Sequence, residues 1–395
     1  MSTGTSRTQL GELNIRAVIH ALRRLGPSSQ REIAEHAALS IPTVSVIVRG
    51  LEQRGTLRVV RTESNGRGRP RAVFDLVPDA AHAIGIHLDP ALITVVALDM
   101  TGQPVKIAHD NSVDPDDPHS TLATAAGMVE QVLEDAQLPD ADAVQCALAV
   151  PGRIDPTHGA IADSVWLPHW NGVPVAGILG ERLHRDVPLL KDTFAAMSGE
   201  IWVRGGELLD ATSIFVYHGT GTGLGIAVDG RAVPGQSGNA GQAGRLFELL
   251  SSPGLTEAAT AHDPADVVTT ALAEGLLENA AGSRSPDPRH IGHAFRQLCA
   301  LAETRDERAL SLLQSAGDRI HRVAAVAADV LDAGFVILGG PYWELVRDLR
   351  LPHAEETIGR PAQHGRAPVR VLASALGQDA GAVGAASVVL DRRFR

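Results

Sequence analysis

Cysteine is nearly missing from this sequence: 395 residues contain two, Cys146 and Cys299, far apart and each among apolar neighbours. They form neither a disulfide framework nor a Cys-x-x-Cys metal pattern, which leaves buried free thiols as the reading. No apolar run approaches the roughly eighteen residues needed to span a bilayer, so a membrane-spanning helix is excluded. The opening residues, MSTGTSRTQLGELN, lack the apolar centre of a signal peptide, and a cytoplasmic location is expected. No segment recurs at a fixed period.

What is present is an ordinary soluble composition, 44% hydrophobic and 21% charged, in a chain long enough for two or three domains. The net charge of −11 speaks against nucleic acid until it is divided along the chain. Residues 1–75 carry 12 Arg against 6 Asp or Glu, a balance of +6, and the remainder carries −17. A basic head on an acidic body confines attraction for polyanions to one region.

The head reads as three helices and a wing. Leu13, Ala17, Ile19 and Leu22 recur at near-helical spacing, and Leu25-Gly26-Pro27 ends that helix. Ser29 followed by Glu32 is a capping box for a second helix running to about Ala37. Ser40 caps a third, with Pro42 in its first turn, where no intrahelical N–H is required. Val44, Ile47 or Val48, and Leu51 face inward, leaving Thr43, Ser45, Val46 and Arg49 outside. Leu57–Arg61 and Ala72–Leu76 alternate as two wing strands, around the stretch NGRGRPR. One helix of such a unit lies in a major groove, beside a narrow cationic finger. The expected DNA contacts are Gln30, Arg31, Thr43, Ser45 and Arg49 on the helices and Arg67, Arg69 and Arg71 on the wing. The alternative is a three-helix packing module with a solvated basic linker.

From Ala83 the chain alternates strands and helices, an α/β body with glycine turns at strand ends, where ligands of such sheets collect. Ile84–Leu88 and Ile93–Asp99 read as a hairpin, Val144–Val150 as a buried strand, and Glu307–Leu331 as a long amphipathic helix before Val336–Leu338. Ile214–Tyr217 and Gly225–Asp229 flank a glycine loop, while Asp114–His119 and Gly282–His290 read as surface loops.

The motifs Val150–Gly152, Trp166–Gly172, Lys191–Glu200, His218–Gly225, Gly235–Arg245, Val336–Gly340 and Ala375–Ala386, in this order, resemble the ROK family of repressors and sugar kinases. The head is similar to the winged helix of the repressor branch. The resemblance implies a winged helix-turn-helix over 1–78 and a two-lobed actin-like ATPase fold over 79–395. Lobe 1 is expected at about 79–192 plus 375–395, and lobe 2 at about 193–374.

The family's kinases open with a phosphate-binding turn, Asp-x-Gly-Gly-Thr; here the matching place is His87-Leu88-Asp89-Pro90-Ala91. Pro90 removes an N–H donor and Asp89 puts a negative charge where a phosphate would sit, so no kinase activity and no cofactor are expected. The family's structural zinc uses one His and three Cys. The matching positions here hold Arg245 and no cysteine through Glu257, with Leu255 at one cysteine position, so no metal is expected.

Carried over one at a time, the family's sugar contacts fall on Lys191, Asp192 (the general-base position), Gln242, Arg245 and Glu257. Asn to Lys, Glu to Gln and His to Arg each add about one positive charge, which favours a sugar acid or sugar phosphate through charge-assisted hydrogen bonds. The other reading pairs Lys191 and Arg245 with Asp192, Glu248 or Glu257. His169 and Trp170 either edge this pocket or belong to the core. The expectation is a transcriptional regulator, acting as a repressor, that binds a double-stranded operator and a small-molecule effector as a homodimer or homotetramer, away from membranes. A kinase with an accessory head and a regulator that binds no ligand remain as alternatives.

Overall fold

The structure is a computed structural model and describes residues 7–63, 70–138, 144–208, 210–250, 261–278, 288–359 and 368–392. The head comprises α1 (Arg7–Leu25), β1 (Ser28–Ser29), α2 (Gln30–His36), α3 (Ile41–Gln53), β2 (Leu57–Glu63) and β3 (Arg71–Leu76), its strands ordered β1-β3-β2. Both caps form as the sequence implies. Ser29 Oγ accepts from Glu32 N while the Glu32 carboxylate accepts from Ser29 N at 2.8 Å, and Ser40 Oγ accepts from Thr43 N. Val44, Val48 and Leu51 are buried, with Ile47 half-buried.

Alternation fails in the first wing strand. Only Leu57 of β2 is buried, because the pairing slips between Val59 and Arg61 and inserts an extra residue, so Val59 and Val60 are both left exposed. Arg67 and Arg69 lie outside the described residues.

Lobe 1 is built on one mixed sheet, β10-β7-β4-β5-β6. Its strands are β4 (His82–Asp89), β5 (Leu92–Asp99), β6 (Pro104–Asp110), β7 (Gln145–Val150) and β10 (Leu189–Lys191). β4 and β5 form the expected hairpin, and β4 is buried at all eight positions, as the centre of a sheet covered on both faces must be. α4 (Pro118–Asp135), α5 (Val175–Leu183) and the small ribbon β8 (Arg153–Asp155) and β9 (Ala160–Asp163) complete this side.

Lobe 2 carries the sheet β13-β12-β11-β14-β15, from β11 (Ser213–His218), β12 (Thr222–Val228), β13 (Arg231–Ala232), β14 (Phe335–Gly339) and β15 (Arg370–Ala373). Around it lie α7 (Gly244–Leu249), α8 (Pro264–Ala273), α9 (Pro288–Glu303), α10 (Glu307–Leu331) and α11 (Trp343–Ile358). The long helix covers the residues its periodicity marks. Two loop readings are shortened: Asp117 caps α4 at Pro118, so His119 is helical, and His290 falls inside α9. Most of 282–290 lies outside the described residues.

Two helices sit between the sheets, α6 (Asp192–Arg204) and α12 (Ala380–Arg392). Small residues let them approach closely. A Cβ on Gly85 of β4 would stand 1.8 Å from Ala382 O, and one on Gly384 would stand 1.7 Å from Ala195 O. The head rests on this pair. Arg23 Nη1 meets Asp391 Oδ1 at 2.8 Å, Arg23 Nε donates to Met100 O at 3.0 Å, and the guanidinium lies 4.0 Å over the Trp202 ring.

Candidate functional site

The outer face of α3 is open. Arg49 is exposed, Val46 is 71% exposed, and Ile41 and Pro42 are also uncovered. Thr43 and Ser45 are only half-buried, and the Thr43 hydroxyl lies 2.8 Å from Ser40 Oγ, within the helix cap. On α2, Gln30 is half-buried and Arg31 pairs with Glu35 at 2.9 Å. Arg71 is exposed at the start of β3. The face is therefore more apolar than expected, with Val46 at its centre, a side chain suited to a thymine methyl group.

In the body, the ends of β4, β10 and β11 bring together a buried polar cluster. Asp89, 2% exposed, accepts from Ala91 N at 3.0 Å across the Pro90 turn. It also accepts from Thr220 Oγ1 at 2.9 Å and Thr220 N at 3.4 Å. Thr220 belongs to the glycine loop between β11 and β12, so one carboxylate of lobe 1 occupies donors of the loop in lobe 2. Burial pushes the Asp89 carboxyl up, against the pull of His87 and its own hydrogen bonds, and burial holds His87 below its usual range. Burial also keeps His218, at the loop's start, far below 6.5 and hence neutral near pH 7.

A second carboxylate reaches the same loop from α8's N-terminus. Asp263 accepts from Thr222, and a Cβ on Gly221 would stand 3.7 Å from Asp263 Oδ2 and 3.0 Å from Trp166 Nε1. Burial pushes the Asp263 carboxyl up to about 6, against the pull of His262. The folded state thus holds this proton more tightly than the unfolded chain. Its contribution is complete below about pH 4 and lost as pH rises through about 6. Asp263→Asn is expected to raise the melting temperature relative to wild type at pH 8 and to change it little at pH 4. Thermal melts at the two pH values check this, and a larger loss at pH 8 than at pH 4 contradicts it.

Lys191 and Asp192 are brought together and buried, the ammonium 3.6 Å from the carboxylate. Lys191 Nζ donates to Gly152 O at 2.8 Å, and Asp192 Oδ1 accepts from Thr193 N at 2.7 Å at the first turn of α6. Two residues beyond Gly152, Ile154 exchanges hydrogen bonds with the Asn239 side chain, at 2.7 and 2.8 Å. This ties the 235–245 loop to lobe 1. Gln242 and Arg245 on that segment are exposed, and neither Asp192 nor Glu248 forms an ion pair with Arg245 among the described residues. Glu257 lies outside those residues. Trp170 is fully buried core, whereas His169 is exposed, 3.6 Å from Asp116.

Sequence reasoning missed Thr220, Trp166, Asn239 and Asp263. The first three lie inside quoted motifs, but a partner across two lobes leaves no local periodicity to read.

Residues 92–392, more than half of the chain, match the ROK family. The chain belongs to the ROK family. Residues 17–68 match the MarR family, within the winged helix. The DNA-binding transcriptional dual regulator NagC of Escherichia coli K12 is 26% identical over 365 residues, covering 89% of this chain and 86% of NagC. A glucokinase of Thermotoga maritima is 25% identical over 321 residues, covering 78% of this chain and 97% of the enzyme. Among solved structures, a ROK family transcriptional regulator, a homologue of the Escherichia coli MLC protein, superposes with a TM-score of 0.69 at 17% identity. That match covers 98% of this chain and 96% of the other.

Two groups associated with ROK proteins fit this chain's residues poorly. A zinc site of one His and three Cys has Arg245 in place of the imidazole, and both cysteines of the chain are buried free thiols elsewhere. At the place that resembles the family's phosphate-binding turn, Asp89 already holds the Thr220 donors, and Asp263 accepts from Thr222 of the same loop, whereas phosphate binding calls for positive charge or free N–H groups.

Proposed function

We propose that this ROK protein is a transcriptional repressor whose winged helix binds an operator and whose actin-like body senses a small sugar-like molecule without phosphorylating it. The observation that carries the reading is the Asp89 carboxylate seated on the Thr220 N–H and hydroxyl. It fills donors a phosphate would use and joins the two lobes, which turns a transfer site into a clasp. The similarity to NagC and to the MLC homologue supports the regulatory half of the reading.

Lys191 favours an anionic ligand, a sugar acid or sugar phosphate: among the described residues only one of its three N–H donors is committed to a hydrogen bond. Exposed Arg245 adds a second cation, and Asp192, Gln242 and Glu257 supply acceptors or donors for sugar hydroxyls. A thermal-shift screen of acidic against neutral sugars tests this, and a response to neutral sugars alone counts against it. The glucokinase similarity and the presence of Asp192 favour a second reading, a sugar kinase with a DNA-binding head. ADP release in a coupled assay with a sugar panel would establish that reading instead.

Operator binding is testable directly. Selection from random DNA is expected to yield an inverted repeat with half-sites about one helical turn, or a multiple, apart. Arg49→Ala is expected to weaken operator binding roughly 10- to 100-fold with altered sequence preference. Arg69→Ala should weaken binding across sequences and lower the salt slope by about 1. Fluorescence anisotropy on selected and scrambled duplexes reads both, and unchanged binding in both variants would remove the head from DNA recognition.

A further inference from the structure

In lobe 2, α10 and α11 present three side chains to one point. Asp318 and His321 are three residues apart on α10, so they share a helix face, and His353 follows Pro352 in α11. One ligand atom from each lies within 4.8 Å of the others. His321 is 1% exposed, and neither of its ring nitrogens has a hydrogen-bond partner, an uncommon state for a buried imidazole. Asp318 Oδ1 stands 2.8 Å from His353 Nε2 yet forms no aligned hydrogen bond. Lone pairs that approach one another without bonding are what ligands converging on a common centre show. His353 and Asp318 are about half exposed, at 51% and 46%, which gives an ion a way in from solvent.

We propose that Asp318, His321 and His353 bind one divalent transition-metal ion of the zinc type, clamping α10 to α11. Two imidazoles and one carboxylate, with a remaining position for water, match the donor set and count that zinc accepts. An Asp-x-x-His pair on one helix meeting a histidine from its neighbour also follows the way helical bundles assemble metal sites. Arg350 is buried nearby, donating to Leu313 O at 2.9 Å, and its charge disfavours a hard dication held by electrostatics alone. Nitrogen donation selects a softer ion over magnesium or calcium. Glu356, 3.9 Å from His353 Nδ1, can orient that ring from its other side.

The test uses the untagged full-length chain, stripped with a chelator and titrated with Co²⁺, then with Zn²⁺. One equivalent of Co²⁺ is expected to give visible absorption bands that Zn²⁺ abolishes, and Zn²⁺ is expected to raise the melting temperature. His353→Ala and Asp318→Asn, both at exposed side chains, should each weaken Co²⁺ binding by at least about tenfold and suppress the Zn²⁺-dependent shift. His262→Ala, in the separate group His262, Asp263 and Asp266, should leave binding unchanged. Absence of Co²⁺ uptake by the folded wild type, uptake unaltered by both His353→Ala and Asp318→Asn, or uptake lost in His262→Ala instead, would each overturn the assignment.

Discussion

Gly384→Ala is expected to lower the unfolding free energy by about 3 kcal/mol or more, a large part of what holds a domain together. The added methyl carbon would stand 1.7 Å from Ala195 O and 2.4 Å from Ala195 C, and both are backbone atoms with no rotamer to escape into. α12 would have to leave α6, and α12 also packs on β4, where Gly85 already allows contact with Ala382 O. One methyl group therefore pries apart the layer between the two sheets. Gly127→Ala is the internal comparison. That glycine is exposed in α4 with nothing within 4 Å, so alanine should stabilise by about 1 kcal/mol through helix propensity alone. Urea denaturation of both variants reads the two signs. Equal midpoints would mean that α12 has room the close contacts deny.

Arg23→Ala carries the second large expected effect, a loss of about 3 kcal/mol and release of the head from the body. Arg23 touches both central helices: Asp391 on α12 by an ion pair at 2.8 Å and Trp202 on α6 by its guanidinium face, beside His20, which meets the same two residues. Removing it leaves the Asp391 carboxylate with His20 alone, at 3.1 Å. Burial would raise the Asp391 carboxyl, but His20 and Arg23 together outweigh it and hold the group below its ordinary 3.8. A depressed folded value contributes stability above the ordinary carboxylate range and loses it as pH falls. Wild type and variant should therefore differ most near neutrality and converge in acid. Because the head keeps its own core of Ile33, Val44, Leu51, Leu57 and Leu76, operator affinity of the variant should persist while its response to effector is lost. Chemical denaturation at pH 7 and pH 4, with anisotropy in the presence of effector, measures both halves. A variant with unchanged stability and unchanged effector response would exclude Arg23 as the link.

The head was largely legible because its signals are local. A capping box, an N-cap with proline in the first turn and a helical apolar period each act within a few residues, and Ser29, Ser40, Val44 and Leu51 do what their spacing implies. The wing strand departed from alternation because a bulge is decided by pairing across strands, as at Val60. The long helix, the hairpin and the free cysteines were also present in the pattern of the chain.

The candidate site was legible as a set of substitutions but not as an arrangement. That Asp89 and Pro90 stand at the place resembling the family's phosphate-binding turn is an expectation the sequence raises. That Asp89 spends its lone pairs on Thr220, 131 residues away, depends on two sheets facing each other across α6 and α12. Likewise Lys191 reads as an added charge, and only the fold shows it buried against Gly152 O and Asp192. The sequence by itself determined the family, the order of elements and where the charged residues stand along the chain, because these reside in residue type and short-range spacing. Tertiary structure alone decided which of those charges meet, which donors remain open, and that the head rests on the layer joining the lobes. Burial and distance between remote segments exist only once the chain has closed on itself.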